Sequence, residues 1–315
     1  PAPALPSPPA SASARASPSP AAPEDPDACL AQAHASLVQL GLELGAGAAR
    51  RRPPGLSSEE PPPTLPLIPY PVSLKWAGKG AQPFLVERAT PLHLGKGVGE
   101  TDPAARALRR HLAAMSSPGG ATSAASAGIR LELRQGRGLG AEGYLLNVSE
   151  QHGILVRAGR PAGLFYGVQT LRQLASNMSG SLVPAVSVED RPRFRWRGLA
   201  LDVSRHFFGA AEVKRLLETM ASFKLNRFHW HLTDDQGWRL PISDYPKLTT
   251  IASHGRSPGA YTAEEIRDVV AFAGDRHIEV IPEVDMPGHT TAAVVAYPDL
   301  GNGDVAGGTP PRLES

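Results

Sequence analysis

The sequence has little of several features that would define a class of protein. Cys29 is the single cysteine among 315 residues, so neither an internal disulfide nor a CxxC thiolate metal site can form within the chain. Aromatic residues make up only 6% of the chain. The formal net charge is +2, which provides no basic field for nucleic acid. We therefore predict no nucleic-acid partner, and the redox compartment stays open.

Long hydrophobic runs are also missing. No stretch approaches the roughly 18 consecutive apolar residues that a membrane span requires. The first residue is not methionine, and the N-terminus lacks the charged start and apolar run of a signal peptide. We interpret the chain as processed or as a fragment, without a membrane span, and take a small or neutral molecule as its default substrate.

Proline, alanine and serine dominate residues 1–60, as in "PAPALPSPPASASARASPSPAAPEDP". Such a composition has too few large apolar groups to offset the entropy of ordering, so it predicts a flexible tail. Leucines at mostly helical spacing predict one short helix there, with Asp27 as its N-cap: Leu30, Leu37, Leu40 and Leu44.

Short apolar runs separated by turn residues follow over residues 61–190. In "IRLELR", Ile129, Leu131 and Leu133 alternate with charged neighbours, which is typical of a half-buried strand. Helical patterns occur at about 103–115 and in "GLFYGVQTLRQLA". We predict a small α+β domain with a packing role, because the segment has no cluster of acids, bases or nucleophiles.

From residue 191 onward, predicted strands and helices alternate. The strands "GLALDV", "NRFHWHL" and "HIEVIPEVDM" are separated by the helical "GAAEVKRLLETMASFK" and "TAEEIRDVVAFAGDR". This alternation predicts an α/β fold of parallel strands with crossover helices, in which the active site lies at the C-terminal ends of the strands. Polar residues stand at each of these ends: Asp202, Ser204 and Arg205; Asp234 and Asp235; Glu283, Asp285 and His289.

The "HWH" stretch allows a metal site as one interpretation. His229 and His231 face the same way on a strand, and neutral imidazole is a common zinc ligand. However, both precede the strand end, where side chains fill a barrel, and packed, hydrogen-bonded histidines are the commoner outcome. We therefore predict no metal and no cofactor, with a metal-dependent hydrolase as the weak alternative.

Several motifs together resemble glycoside hydrolase family 20, the β-N-acetylhexosaminidases. They are "RGLALDVSRHFF", "NRFHWHLTDDQGWRL", "YPKL" and "EVIPEVDMPGHTTAAVVAYPDL", in the family's order and approximate spacing. "EGYLLNV" and "GLFYGVQTLRQL" resemble the small α+β domain that precedes the barrel in this family. The resemblance covers roughly residues 62–300. It implies that residues 191–315 form about the first three strands of an incomplete (β/α)8 TIM barrel.

The resemblance also implies roles for individual residues. Arg205 corresponds to the arginine that holds hydroxyls of the terminal sugar, although a structural ion pair is the alternative. Asp234 and His289 correspond to the supporting pair beside the general acid, and the alternative for them is a hydrogen bond that anchors a loop.

Other residues receive less definite roles from the same motifs. Asp235, Glu283 and Asp285 belong in the cleft, whereas Trp238 fits either the wall of the sugar site or the core. His229 and His231 are expected to be structural.

The implied reaction is hydrolysis of terminal non-reducing N-acetylglucosamine or N-acetylgalactosamine from glycans or chitooligosaccharides. In this family the substrate's own acetamido oxygen attacks the anomeric carbon with retention, a Glu protonates the leaving oxygen, and a neighbouring Asp orients the acetamido group. Export is expected, because such glycans are usually handled outside the cytoplasm.

The residues that carry out the chemical step are not found in the sequence. The implied Asp-Glu pair follows the fourth strand, but no Asp-Glu dipeptide occurs in the 315 residues. About 125 residues follow residue 190, whereas a complete barrel takes roughly 250. We therefore expect these 315 residues to be inactive alone, and a catalytically inactive carbohydrate-binding relative is the alternative.

Overall fold

The computed structural model describes five stretches of the chain: residues 65–78, 80–115, 127–134, 138–176 and 182–301. They belong to one compact unit that begins at Glu60. The predicted tail over residues 1–60, with its short helix, lies outside the described residues. The division between residues 61–190 and 191–315 stays a prediction. Among the described residues, no helix has the length and apolar character needed to cross a membrane.

The first part of the described chain contains a mixed sheet. The strands of this sheet are β1 (Ser73–Trp76), β3 (Leu92–Leu94), β4 (Ile129–Leu133), β5 (Tyr144–Ser149), β6 (Gly153–Ala158) and β8 (Val186–Asp190). A separate short pair consists of β2 (Phe84–Leu85) and β7 (Leu182–Val183). The sheet order is β1-β8-β5-β6-β4-β3, and β2 pairs with β7. Strands β3, β4 and β6 run parallel, and the other pairs are antiparallel.

Two helices complete this part, α1 (Pro103–Ala114) and α2 (Pro161–Ser176). Helix α1 begins where the Asp102 carboxylate accepts a hydrogen bond from the Ala104 N–H at 2.8 Å. Helix α2 packs on the sheet and against α1. It approaches the sheet closely because residue 167 is glycine: a Cβ there would lie 2.5 Å from Val156 Cγ1. The predicted strands and helices of the small α+β region are confirmed.

The second part is built on three parallel strands. They are β9 (Gly198–Asp202), β10 (Arg227–His231) and β13 (Glu279–Glu283), in the order β9-β10-β13. Helix α3 (Ala210–Ser222) connects the first two, and helix α5 (Ala263–Gly274) lies between the second and third. Neighbouring parallel strands joined through helices are the repeating unit of a (β/α)8 barrel, so the predicted fold class is confirmed. Within the described residues the sheet is open.

Smaller elements lie beyond the C-terminal ends of these strands. They are the hairpin of β11 (Thr233–Asp234) and β12 (Gly237–Trp238), helices α4 (Lys247–Thr250) and α6 (Thr291–Ala296), and the 3₁₀ turn Pro298–Leu300.

Strand register decides which side chains meet at the strand ends. Phe228 and Trp230 on β10 are buried in the main apolar core, which also contains residues from α3 and α5. The other residues of β10, His229 and His231 among them, therefore face the opposite side of the sheet. Pairing places His231 between Asp202 of β9 and Glu283 of β13. We call these three residues the polar row.

A buried ion pair joins the two parts of the described chain. Lys224 follows α3 and has a positive φ of 60°. Its Nζ donates to Asp190 Oδ2 at 3.0 Å and to Tyr144 Oη at 2.7 Å. Burial lowers the pKa of Lys224, and the charge of Asp190 opposes this shift. A buried ammonium without its carboxylate would be strongly unfavourable, so the pair holds the turn after α3 against β5 and β8.

We predict that Lys224→Met destabilises the protein expressed from its complete reading frame by about 3 kcal/mol, because Asp190 would lose its buried counter-charge. Lys214→Met is the matched control. It removes an ion pair with Asp268, whose side chain is 63% exposed, and should cost at most about 1 kcal/mol. Urea unfolding measures both. Equal effects of the two substitutions would contradict the importance of the buried pair.

Candidate active site

The buried carboxylate of Asp234 lies at the centre of the strand ends. Its side chain is 1% exposed, and the short β11–β12 hairpin carries it beyond the end of β10. Oδ2 lies 2.5 Å from Arg205 Nη2 and 2.9 Å from His231 Nε2. Oδ1 accepts from the Asp235 N–H at 2.7 Å and lies 3.3 Å from His289 Nδ1. Four nitrogen groups thus surround one carboxylate, which satisfies a buried charge.

Arg205 is fixed by three polar side chains. Besides Asp234, its Nη1 donates to Asp202 Oδ2 at 2.7 Å, and its Nε donates to Gln236 Oε1 at 3.2 Å. The side chain nevertheless remains 47% exposed. The structural ion pairs considered from the sequence are therefore present, and they hold a guanidinium that is still accessible to solvent.

Asp202 shapes the turn that carries Arg205. Its Oδ1 accepts from the backbone N–H groups of Ser204 at 2.9 Å and Arg205 at 3.0 Å. Burial raises the pKa of Asp202, but the hydrogen bonds and charge from Arg205 and the Ser204 hydrogen bond outweigh it, so the pKa is lowered. Asp202 is thus kept ionised as the anchor of this turn.

The two histidines of "HWH" contact carboxylates. His231 Nδ1 lies 2.9 Å from Glu283 Oε2, and His229 Nε2 lies 2.5 Å from the same oxygen. Hydrogen bonds from His231 lower the pKa of Glu283 against the effect of burial, with smaller contributions from His229. Hydrogen-bonded histidines were expected here, but the partners of His231 are acids of the candidate site.

His289 reaches the hairpin from the loop after β13. Its φ is +54°, a left-handed conformation that few residues other than glycine adopt. Its Nδ1 lies 3.4 Å from Asp235 Oδ2, in addition to its approach to Asp234, and the side chain is 55% exposed. The predicted pairing of Asp234 with His289 is therefore present in the geometry, whereas its catalytic role stays a prediction.

Asp235 ties the hairpin to helix α6. Its Oδ1 accepts from the backbone N–H of Thr291 at 3.0 Å and from the Thr291 hydroxyl at 2.7 Å. These two bonds are the main causes that lower the pKa of Asp235, with burial opposing them and His289 adding to them. Asp235 is therefore engaged in positioning the segment that follows His289.

One group of three potential metal ligands occurs among the described residues. The donor atoms of Asp234, Asp235 and His289 all lie within 4.8 Å of one another. Protein donors already occupy both carboxylates, with Arg205 and His231 on the first and Thr291 on the second. We therefore assign the group to hydrogen bonding, and the absence of a metal stays a prediction.

The remaining predicted residues have structural contacts. Trp238 is buried against Leu248, and its Nε1 donates to the Leu240 carbonyl at 2.7 Å, which places it in a small core rather than on a sugar-binding wall. Ser204 is fully buried, and its hydroxyl donates to the Gly237 carbonyl at 2.6 Å. The backbone N–H of Asp285 donates to Thr233 Oγ1 at 2.9 Å.

Arg239 is a residue that sequence reasoning missed. Its side chain is fully buried, and its guanidinium donates to four backbone carbonyls, those of Val203, Ser204, Ser253 and Gly259. It thereby connects the turn that carries Arg205 to the loop before α5. The available sequence signal was a charged residue between the apolar Trp238 and Leu240. An arginine that is buried with such neighbours needs several hydrogen-bond acceptors.

A parallel sheet with crossover helices and a polar cluster at the C-terminal strand ends defines the beginning of a TIM-type barrel. Models of glycosyl hydrolase family 20 match this chain in two parts: domain 2 over residues 64–191 and the catalytic domain over residues 194–312. The chain belongs to this family, as the sequence motifs predicted.

Curated relatives and solved structures agree with this assignment. The beta-N-acetylhexosaminidase of Cellulomonas fimi is 40% identical over 251 residues, covering 76% of this chain and 49% of that protein. The beta-hexosaminidase of Porphyromonas gingivalis is 46% identical over 173 residues, covering 50% of this chain and 22% of that protein. The family 20 beta-N-acetylhexosaminidase structure from Streptomyces coelicolor A3(2) has a TM-score of 0.68 and 37% identity, covering 82% of this chain and 53% of that one. This chain thus spans about half or less of the length of these relatives.

We predict that Thr291→Val lowers stability at pH 7 by less than about 1 kcal/mol, since Asp235 Oδ1 loses one of the two donors that Thr291 provides but is partly exposed. The folded-state pKa of Asp235 is lowered, so its contribution is present above its unfolded pKa and is lost as the pH falls through the folded pKa. The difference between variant and parent should therefore shrink below about pH 4.

Thr290→Val is the control, because the Thr290 hydroxyl donates at 3.1 Å to the uncharged carbonyl of Pro287. Its effect on unfolding by urea should not depend on pH. A pH-independent effect of Thr291→Val would show that the bond to Asp235 does not stabilise the ionised carboxylate.

Proposed function

We propose that the protein to which this chain belongs removes terminal non-reducing N-acetylhexosamine residues from glycans or chitooligosaccharides, by retaining, substrate-assisted hydrolysis. The observation that carries the proposal is the convergence of Arg205 with the Asp234–His289 pair at the C-terminal ends of parallel strands. The family membership and the relatives named beta-hexosaminidase support it.

In this proposal Arg205 binds the terminal sugar. A guanidinium has five N–H donors, and the contacts with Asp202, Asp234 and Gln236 use three of them. The accessible part of the side chain would donate to sugar hydroxyls, while the carboxylates on its other side keep its plane fixed. Burial lowers the pKa of Arg205, but the hydrogen bond and charge of Asp202 and the charges of Asp234 and Asp235 raise it overall. The arginine therefore stays charged near neutral pH.

Asp234 and His289 would support the general acid. An imidazole whose Nδ1 faces carboxylates carries its proton on that nitrogen, which leaves Nε2 as an acceptor. His289 would present this acceptor to the carboxylic acid that protonates the leaving oxygen and would so tune the acid's proton affinity. We assign the acid and the acetamido-orienting aspartate to an Asp-Glu pair that the 315 residues do not contain.

The names of two relatives support this substrate class. One is named N,N'-diacetylchitobiase of Vibrio harveyi and is 36% identical over 166 residues, covering 46% of this chain and 19% of that protein. A mutant Streptomyces plicatus beta-hexosaminidase was solved with the product GlcNAc and is 38% identical to this chain. We propose N-acetylglucosaminides and N-acetylgalactosaminides as substrates here.

The test is to assay the protein from its complete reading frame with chromogenic β-N-acetylglucosaminide and β-N-acetylgalactosaminide. Turnover with retention of the anomeric configuration is expected. Binding of N-acetylglucosamine without turnover would instead show a catalytically inactive carbohydrate-binding relative.

We predict that Arg205→Lys lowers kcat/KM by about 100-fold or more, because an ammonium cannot reproduce the planar set of donors. Arg157→Lys is the matched control. It changes an arginine paired with Glu132 at 2.5 Å in the mixed sheet, away from the strand ends, and should leave kcat/KM unchanged. Thermal unfolding of both variants separates loss of function from loss of fold. Unchanged kinetics for a folded Arg205→Lys protein would refute the sugar-binding role.

We also predict that strong chelators leave turnover unchanged, because protein donors already occupy the carboxylates of Asp234 and Asp235. Activity is measured before and after incubation with EDTA, together with the metal content of the purified protein. Stoichiometric zinc that is lost together with activity would overturn the hydrogen-bonding assignment of these residues.

A further inference from the structure

His231 contacts a carboxylate through each of its ring nitrogens. Nε2 lies 2.9 Å from Asp234 Oδ2, and Nδ1 lies 2.9 Å from Glu283 Oε2. The His231 side chain is 11% exposed and that of Asp234 is 1% exposed, so water has little access to this contact, whereas Glu283 is 36% exposed. The imidazole therefore bridges the hairpin after β10 to the end of β13.

The two carboxylates favour the protonated form of the ring. An ionised carboxylate only accepts hydrogen bonds, and a neutral imidazole has only one N–H. A neutral ring would therefore point a lone pair at one of the two carboxylates over 2.9 Å, which is repulsive. An imidazolium donates to both and also balances part of the negative charge of Asp234 and Glu283.

The other charged groups around His231 act in opposite directions. Asp202 of the neighbouring strand, the third member of the polar row, adds negative charge that favours the imidazolium. Arg205 Nη1 lies 3.3 Å from His231 Nε2 and opposes it, because two positively charged donors then face each other. His229, two residues earlier on the same strand, donates to Glu283 but has no contact with Asp234 among the described interactions. Of the two histidines, His231 is thus the one that links Glu283 of β13 to Asp234.

We propose that His231 is a positioning residue. As an imidazolium it holds Asp234 Oδ2 in the position in which that oxygen forms the ion pair with Arg205. The inference rests on the proposed function for its effect on turnover, whereas the charged bridge itself does not depend on that function. The role exceeds simple packing because Asp234 Oδ2 accepts from both Arg205 and His231. Loss of one donor would let the carboxylate rotate and move the other.

The pKa of His231 points in the same direction. Burial lowers it, but the hydrogen bonds with Glu283 and Asp234 and the charges of Glu283 and Asp202 raise it above its usual value of 6.5. The stabilisation from this bridge is therefore fully present below the unfolded pKa and is lost as the pH rises through the folded pKa.

The first experiment follows the protonation of His231 by NMR. The protein from its complete reading frame is labelled at histidine, and the His231 resonance is assigned by its loss in His231→Asn. We expect a titration midpoint above 6.5 that falls in both Asp234→Asn and Glu283→Gln. Two variants are used so that the result stands if either one fails to fold. A midpoint at or below 6.5, or one that neither variant moves, overturns the bridge whether or not the protein is an enzyme.

The second experiment is a double-mutant cycle on kcat/KM. A hydrogen bond between charged groups corresponds to roughly a 10-fold effect or more, so His231→Asn should lower kcat/KM by about that factor. If His231 acts through Asp234, the His231→Asn/Asp234→Asn double variant should be no worse than Asp234→Asn alone. If the losses of kcat/KM in the two single variants multiply in the double variant, the positioning role is overturned.

His277→Asn is the control for a general loss of packing. His277 is a half-buried histidine that packs against the rings of Phe165 and Tyr166, with centroid distances of 5.4 and 6.5 Å. Asparagine tolerates its positive φ of 57°. This variant should lower the unfolding temperature while leaving kcat/KM and the His231 midpoint unchanged. If the unmodified protein turns over neither N-acetylhexosaminide, the proposed function fails, and the NMR titration still decides the bridge.

Discussion

The candidate site depends on the need to satisfy one buried charge. Asp234 is almost fully removed from water, so its carboxylate is tolerable only where protein donors replace the lost hydration. The donors come from separate segments: Arg205 follows β9, His231 ends β10, and His289 lies in the loop after β13. Satisfying this carboxylate therefore brings one strand end and two loops into a single arrangement.

Strand register makes this arrangement possible. Parallel pairing places Asp202, His231 and Glu283 side by side, so their polar side chains meet at one level of the sheet. Arg239 then holds the turn after β9 through backbone carbonyls, and the Asp235–Thr291 bonds hold the segment after β13. The polar row is thus supported both by the sheet beneath it and by the loops above it.

The small α+β region contributes support rather than site residues. Its helix α2 packs closely on the mixed sheet, and Asp190 at the end of β8 receives the buried ammonium of Lys224. The main apolar core continues from one part of the described chain into the other. A continuous core and a buried ion pair explain why the described residues form a single compact unit, even though the composition changes near residue 190.

The sequence by itself determined the strands, the crossover helices and the identity of the polar strand ends. Alternation in "IRLELR" and the motifs around Arg205, Asp234 and His289 are local patterns, and local patterns are set by backbone geometry and periodicity. Only the tertiary structure decided that His231 bridges two acids, that Trp238 belongs to a core and that buried Arg239 binds backbone carbonyls. These roles depend on which segments meet in space, because a hydrogen bond or a desolvated charge is defined by its partner rather than by its own position in the chain.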